Sequence, residues 1–186
     1  NVIFLLTYKF KLVLMVFLMG YMGSGKSTLG KAISNVAGIP FYDLDDLIAK
    51  DTDISISDFF KKHGEIAFRK KETEVLKALI ESNERCVVAL GGGTPCYANN
   101  LSLIKDSNSV TSVYLKLSLD ALVNRLWGNK ISRPLISHIE SKQQLNDFVR
   151  KHLFERSFYY NQADVILSCD AKTKSELTKE ISTELF

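Results

Sequence analysis

The stretch Gly20-Tyr21-Met22-Gly23-Ser24-Gly25-Lys26-Ser27 fits the spacing G-x-x-x-x-G-K-[ST], whose residue types suit a polyphosphate. Gly20, Gly23 and Gly25 let the backbone curl with its N–H groups turned inward. Those donors, together with the positive end of a following helix, make a cradle for phosphate oxygens. Lys26 is placed to reach β- and γ-phosphates, and the Ser27 hydroxyl to ligate a Mg²⁺ ion bridging them. A glycine-rich turn that matches by chance is the plainer alternative. The context disfavours it: the apolar run Met15–Met19 precedes the loop and a helical pattern follows it.

Other chemistry-bearing groups lie further along. Asp43, Asp45 and Asp46 follow the apolar pair Phe41-Tyr42. Carboxylates at the C-terminal end of a strand stand where open α/β sheets bind ligands. Along a strand end, Asp43 and Asp45 point the same way, so both can face one site. Helix N-terminal charge is the simpler reading of such acids, and Asp46 fits it. Arg69 falls in a stripe of Ile66, Thr73, Leu76 and Ile80 at helical steps. There it is either out of place or a snorkelling, ion-paired surface arginine. Gly91-Gly92-Gly93, directly after a buried strand, mark a place where backbone must approach a ligand closely. Arg133 lies in an irregular polar stretch from Trp127 to about Ser141, a candidate mobile lid that excludes water; a surface loop is the alternative. Arg156 lies in a long helical pattern, with Glu155 and Asp164 nearby as salt-bridge partners should it be only a surface group.

A frame must bring these groups together. Short apolar runs alternate with helical patterns, which predicts an α/β fold with a five-stranded, mostly parallel sheet and helices on both faces. Strands are expected at 15–19, 41–42, 85–90, 112–117 and 164–167. Helices are expected at 28–36, 65–82, about 97–105, 119–126, 143–162 and 173–185. Ser55 and Asp58 read as the start of a further short helix that Gly64 breaks. No repeat, low-complexity tract or linker divides the chain. Residues 15–186 therefore read as one domain, with the lid at about 127–141 and an extension of open role at 1–14. Met15 is a candidate natural start, and the preceding residues are otherwise an added edge strand or flap.

The totals exclude several classes. With 24 Lys+Arg against 21 Asp+Glu, the balance supports neither a nucleic-acid partner nor a membrane surface. The N-terminal apolar runs fall short of the ~18 residues a span requires. Cys86, Cys96 and Cys169 are three, widely spaced and without a C-x-x-C pair, which predicts reduced thiols in a cytosolic protein. Cys96 reads as a small buried residue before a reactive one. Ser132 stands where a guanine-reading N-K-x-D motif needs its aspartate, which disfavours a GTPase. Leu90 runs straight into glycine with no Walker B aspartate, which disfavours a motor ATPase.

The set Gly20–Ser27, Asp43-Leu44-Asp45, Phe68-Arg69, Gly91-Gly92-Gly93-Thr94-Pro95, Arg133-Pro134-Leu135 and Arg156-x-x-x-Tyr160 resembles the shikimate kinase family. Order and spacing agree over about residues 15–170, and the combination is far more specific than the P-loop alone. The resemblance implies a P-loop NTPase fold and phosphorylation of the 3-hydroxyl of shikimate by ATP and Mg²⁺, in aromatic amino-acid biosynthesis. It implies a cytoplasmic monomer whose partners are ATP and shikimate. It implies ATP contacts at Gly23, Ser24, Gly25, Lys26, Ser27, Thr28, Arg125 and Arg133. Substrate contacts are implied at Asp45, Phe68, Arg69, Gly91, Gly92, Gly93, Pro134, Leu135 and Arg156, with Phe60 beside Phe68 in an apolar wall. Ser27 and, through water, Asp43 are the implied metal contacts, and Lys26, Asp45 and Arg133 the catalytic ones. Arg125 lies about one residue further from Arg133 than the family's spacing suggests. The rival readings are another small-metabolite kinase, such as a gluconate kinase, and a non-catalytic nucleotide-binding switch.

Overall fold

A computed structural model describes residues 14–186. The extension expected at residues 1–14 therefore lies, but for Leu14, outside the described residues. Strand β1 (Met15–Met19) is buried at every position. Successive strand residues point to opposite faces, so this run has protein on both sides. Around it stand β2 (Phe41–Asp43), β3 (Cys86–Ala89), β4 (Val110–Lys116) and β5 (Val165–Ser168), in the order β2-β3-β1-β4-β5 with every pair parallel. Near-continuous apolar strands are what a doubly covered parallel sheet demands.

The topology decides where a ligand can sit. The chain leaves β1 outward toward β2, returns to β3 on one side of β1, and only then takes up β4 on the other side. That reversal opens a crevice at the C-terminal ends of β1 and β3. The Leu90 N–H donates to the Leu18 carbonyl at 3.0 Å, so the glycines after β3 start level with the loop after β1.

Helices α1 (Lys26–Ala37), α2 (Leu44–Thr52), α3 (Ile56–Ser82), α4 (Asn100–Asp106), α5 (Leu119–Gly128), α6 (Lys142–Tyr160) and α7 (Lys174–Leu185) cover the sheet. Ser55 caps α3 by accepting from the Asp58 N–H, and Gly64, at φ 76°, kinks the helix where the sequence predicts a break. Two elements differ from expectation. The helix expected from 97 starts at Asn100, because Pro95 sits in a separate 3-10 turn over Thr94–Cys96. Helix α2 goes beyond the sequence reading, which takes Asp43–Asp46 as a strand end. Asp43 is both the last strand residue and the N-cap of α2, and its side chain accepts from the Asp45 N–H.

Gly30 is the contact point between α1 and β2. A Cβ there would lie 2.5 Å from a Phe41 ring carbon and 3.1 Å from the Leu18 side chain. Alanine in place of a helical glycine gains at most ~1 kcal/mol of propensity, whereas overpacking costs about 1–3 kcal/mol. We expect Gly30→Ala to be net destabilised by about 1–2 kcal/mol, read as a lower urea midpoint at unchanged slope.

Candidate active site

The loop after β1 is built on left-handed glycines. Gly23 and Gly25 have φ 80° and 96°, and a Cβ on Gly23 would meet the Leu126 side chain at 3.0 Å. The loop is thus held against α5 while its residues line the crevice. Lys26 folds back to donate to the Gly20 and Tyr21 carbonyls at 2.9 and 3.1 Å. Burial lowers its pKa to about 8, against the raising effect of Asp43 and Asp45. The buried Ser24 hydroxyl and the buried Arg133 Nε have no hydrogen-bond partner among the described residues. Both belong to the lining of one cleft of about 630 Å³, and polar atoms of this kind await an acceptor such as a phosphate.

Asp43 and Asp45 line the same cleft. The Ser27 hydroxyl donates to Asp43 Oδ2 at 2.7 Å. Asp45 faces the site from the first turn of α2, not from an i, i+2 strand repeat, so the shared orientation comes from the strand-to-helix corner. Burial raises the Asp45 pKa to about 6, with Asp43 and Glu72 adding to the rise and Lys26 opposing it.

Two arginines flank the triglycine turn. Arg156 lies with its guanidinium carbon 5.6 Å from the centre of the Tyr21 ring and donates from Nη1 to the Gly92 carbonyl at 3.5 Å. That carbonyl also accepts from the buried Tyr160 hydroxyl. Arg69 stacks on Tyr97 at 3.9 Å and pairs with Glu72 at 3.0 Å and Glu65 at 3.3 Å. Its guanidinium nitrogens lie 3.0 and 3.1 Å from where a Cβ on Gly93 would stand, so a side chain there would push on the arginine. Glu72 is fully buried and also accepts from the Thr94 hydroxyl at 2.6 Å.

The far end of the cleft is walled by Arg125 and Asn129 from the α5 side and by Lys172, Lys174 and Leu177 from the chain after β5. Asp170 fixes that segment by accepting from the Ser118 N–H and hydroxyl. Arg133 reaches the cleft from the 127–141 segment. The Lys130 ammonium donates to the Ile139 carbonyl at 2.6 Å and closes this segment on itself.

One cleft therefore gathers Gly23 to Thr28, Asp43, Asp45, Gly91, Gly92, Arg125 and Arg133, with Arg156 beside Gly92. Other expected residues stand apart. Phe68 is buried and packs on Phe59 and Phe60 beneath Arg69, so it supports the arginine from outside the cleft wall. Pro134 and Leu135 are exposed and line no part of the cleft. Ile136 and Ile139 are the residues of this segment that enter the core, which turns Pro134 and Leu135 outward. Burial raises the Cys96 thiol to about 11, which suits a plain packing residue. Sequence reasoning missed Glu72, Tyr97, Asn129 and Lys172. Glu72 was findable: it lies one helical turn after Arg69, where the two side chains meet.

Residues 22–186 match the sequence model of a family described as shikimate kinase. A shikimate kinase of Flavobacterium johnsoniae is 47% identical over 166 residues, covering 89% of this chain and 95% of its own. One from Flavobacterium psychrophilum is 44% identical over 172 residues, with 92% and 98% covered. Among solved structures, the shikimate kinase of Acinetobacter baumannii in complex with shikimate superimposes with a TM-score of 0.81 at 30% identity, covering 95% of this chain and 94% of that one.

Two outcomes follow from the geometry. A bound phosphate stabilises the ammonium form of Lys26, so nucleotide binding should take up protons near pH 8. MgADP affinity should hold steady below about pH 8 and fall as pH rises through it; calorimetry in buffers of different ionisation enthalpy reads the uptake. Glu72→Ala strands both Arg69 and the Thr94 hydroxyl. It should cost about 2–3 kcal/mol in chemical denaturation, below the range for a fully buried pair because Arg69 keeps some solvent contact.

Proposed function

The chain belongs to the shikimate kinase family, and on that premise we propose how its own residues carry the family's reaction. The reaction is phosphorylation of the 3-hydroxyl of shikimate by ATP, giving shikimate 3-phosphate in aromatic amino-acid biosynthesis. The observation that supports the residue assignment is the convergence of a phosphate loop, an acidic pair and arginines at one sheet crevice.

In this reading the ATP phosphates lie along Gly23–Thr28, and Lys26 leaves its two carbonyls for the β- and γ-phosphates. The adenine end of the cleft is the wall of Arg125, Lys172 and Leu177. Arg69 and Arg156 take the shikimate carboxylate by charge-assisted hydrogen bonds, and the ring lies against Gly91–Gly93. Asp45 accepts a hydrogen bond from the attacking 3-hydroxyl and orients it. As the new O–P bond forms and the bond to the β,γ-bridging oxygen breaks, ADP leaves with the electron pair and the hydroxyl proton passes to Asp45. A carboxylate with a pKa about 6 is ionised at neutral pH yet basic enough to share that proton. Lys26 and Arg133 meet the charge that spreads over the moving phosphoryl oxygens.

Mg²⁺ fits the donor set. The Ser27 hydroxyl and the Asp43 carboxylate are hard oxygen donors 2.7 Å apart. Among the described residues no group of three or more His, Cys, Asp or Glu side chains could hold a metal unaided, so the phosphates would complete its shell. When bound, the ion neutralises β- and γ-phosphate charge.

The same reading takes residues 15–186 as one kinase domain, a monomer in the cytoplasm, with 127–141 as a lid that carries Arg133 onto the nucleotide. No described helix is long and apolar enough to cross a membrane, and the three cysteines are unpaired. A gluconate kinase would share the architecture, but paired arginines beside the triglycine turn suit a ring carboxylate.

ADP release with ATP, Mg²⁺ and shikimate tests the assignment. Asp45→Asn should lower kcat by about 10²–10⁴-fold. Arg156→Ala should raise KM for shikimate by roughly 10–100-fold, the worth of one or two charge-assisted bonds. Wild-type kcat/KM should fall as pH drops through about 6 and Asp45 takes a proton. Turnover of gluconate without turnover of shikimate would overturn the reading.

A further inference from the structure

Three residues on one stripe of α6, His152, Arg156 and Tyr160, face the two loops of the site. Arg156 and Tyr160 both reach the Gly92 carbonyl. His152 instead meets the phosphate loop: its Nδ1 lies 3.3 Å from the Tyr21 hydroxyl, and its ring packs edge-on against Phe148 at 4.2 Å. Tyr21 is buried and is tied at its backbone, its ring and its hydroxyl. Its carbonyl accepts from Lys26 at 3.1 Å, its ring lies under Arg156 at 5.6 Å, and its hydroxyl meets His152.

We propose that His152 is a positioning residue for substrate binding: as a neutral imidazole it accepts the Tyr21 hydroxyl and fixes the ring against which Arg156 lies. This rests on the reading that Arg156 holds the substrate carboxylate. Burial pushes the Tyr21 pKa up to about 12, so its hydroxyl keeps the proton it donates. Burial and then Arg156 lower the His152 pKa, with Lys151 also lowering it and Glu155 opposing. Tyr21, Arg156, Glu155 and Lys151 are the titratable groups that face the ring. At neutral pH the imidazole therefore has a free lone pair for Tyr21. A protonated ring has two donors and no acceptor. It would release the hydroxyl and set a second cation beside Arg156, so the bracket holds above the histidine range and is lost below it.

The test compares wild type, Tyr21→Phe, His152→Ala and His152→Asn; the asparagine carbonyl can stand where Nδ1 stands. Loss of one partly buried hydrogen bond predicts a rise of about 3–10-fold in KM for shikimate in Tyr21→Phe and His152→Ala. Their kcat should change less than KM does. His152→Asn should recover most of the loss, and the Tyr21→Phe/His152→Ala double variant should be no worse than the poorer single one. By NMR, the His152 titration should move up in Tyr21→Phe, which removes the donor to the neutral ring, and up again in wild type saturated with shikimate. Unchanged KM in both single variants, no recovery in His152→Asn, or a His152 titration indifferent to Tyr21→Phe overturns the proposal. If wild type ignores shikimate altogether, the functional reading fails instead, and the Tyr21→Phe titration still decides the Tyr21–His152 bond.

Discussion

Crowded and incompletely neutralised charge at the C-terminal ends of β1, β2 and β3 is the constraint on which the site depends. Lys26, Arg133 and Arg156 lie near enough for the two arginines to help lower the lysine pKa, while Asp43 and Glu72 help raise that of Asp45. Burial pushes both groups toward neutrality. Holding Asp45 ionised in the folded state costs on the order of 2–3 kcal/mol against the unfolded chain. Because its folded pKa is raised, that cost is absent below the unfolded value and accrues as pH rises through about 6. On the proposed assignment, a phosphate at Lys26 and Arg133 and a carboxylate at Arg156 would offset the cationic side of this crowding, while their negative charge would add to the load on Asp45.

Such crowding persists only if the surrounding structure leaves the groups no room to drift apart. Glycine supplies the closeness on both loops: Gly93 gives Arg69 its place, and Gly23 lets the phosphate loop touch Leu126. Glu72 supplies the tie. One buried carboxylate holds Arg69 from α3 and Thr94 from the turn after β3, so the helix and the turn cannot shift independently. The apolar layer of Phe59, Phe60 and Phe68 lies under the same arginine. Packing therefore places the guanidinium, and charge only sets its final orientation.

Local signals in the sequence revealed what local physics controls. The five strands, the break at Gly64, the phosphate loop and the acids after β2 each follow from periodicity or from one residue's conformational limits. The pairing of Arg69 with a residue four places from Phe68 was within reach by helical spacing. The stack of Tyr97 on Arg69 and the Lys172 wall were not, because they join segments 28 or more residues apart through a sheet order that sequence patterns do not state. Pro134 and Leu135 show a different limit. Their position in a motif suggests contact with substrate, whereas burial of Ile136 and Ile139, shortly after them, sets which way that turn faces in this structure.

Asp43 shows how little freedom the chemistry leaves. It ends β2, caps α2 through the Asp45 N–H at 3.2 Å, and accepts from Ser27 at 2.7 Å. Asparagine would keep the cap, since both residues suit that position, but it would bring no charge to oppose the lowering of Lys26 or to serve a cation. The cap also aims Asp45, because it fixes where the first turn of α2 begins. One carboxylate thus sets the helix start, the angle of the neighbouring acid and the donor set beside Ser27. The corner between β2 and α2 is therefore where fold stability and chemistry are hardest to vary separately.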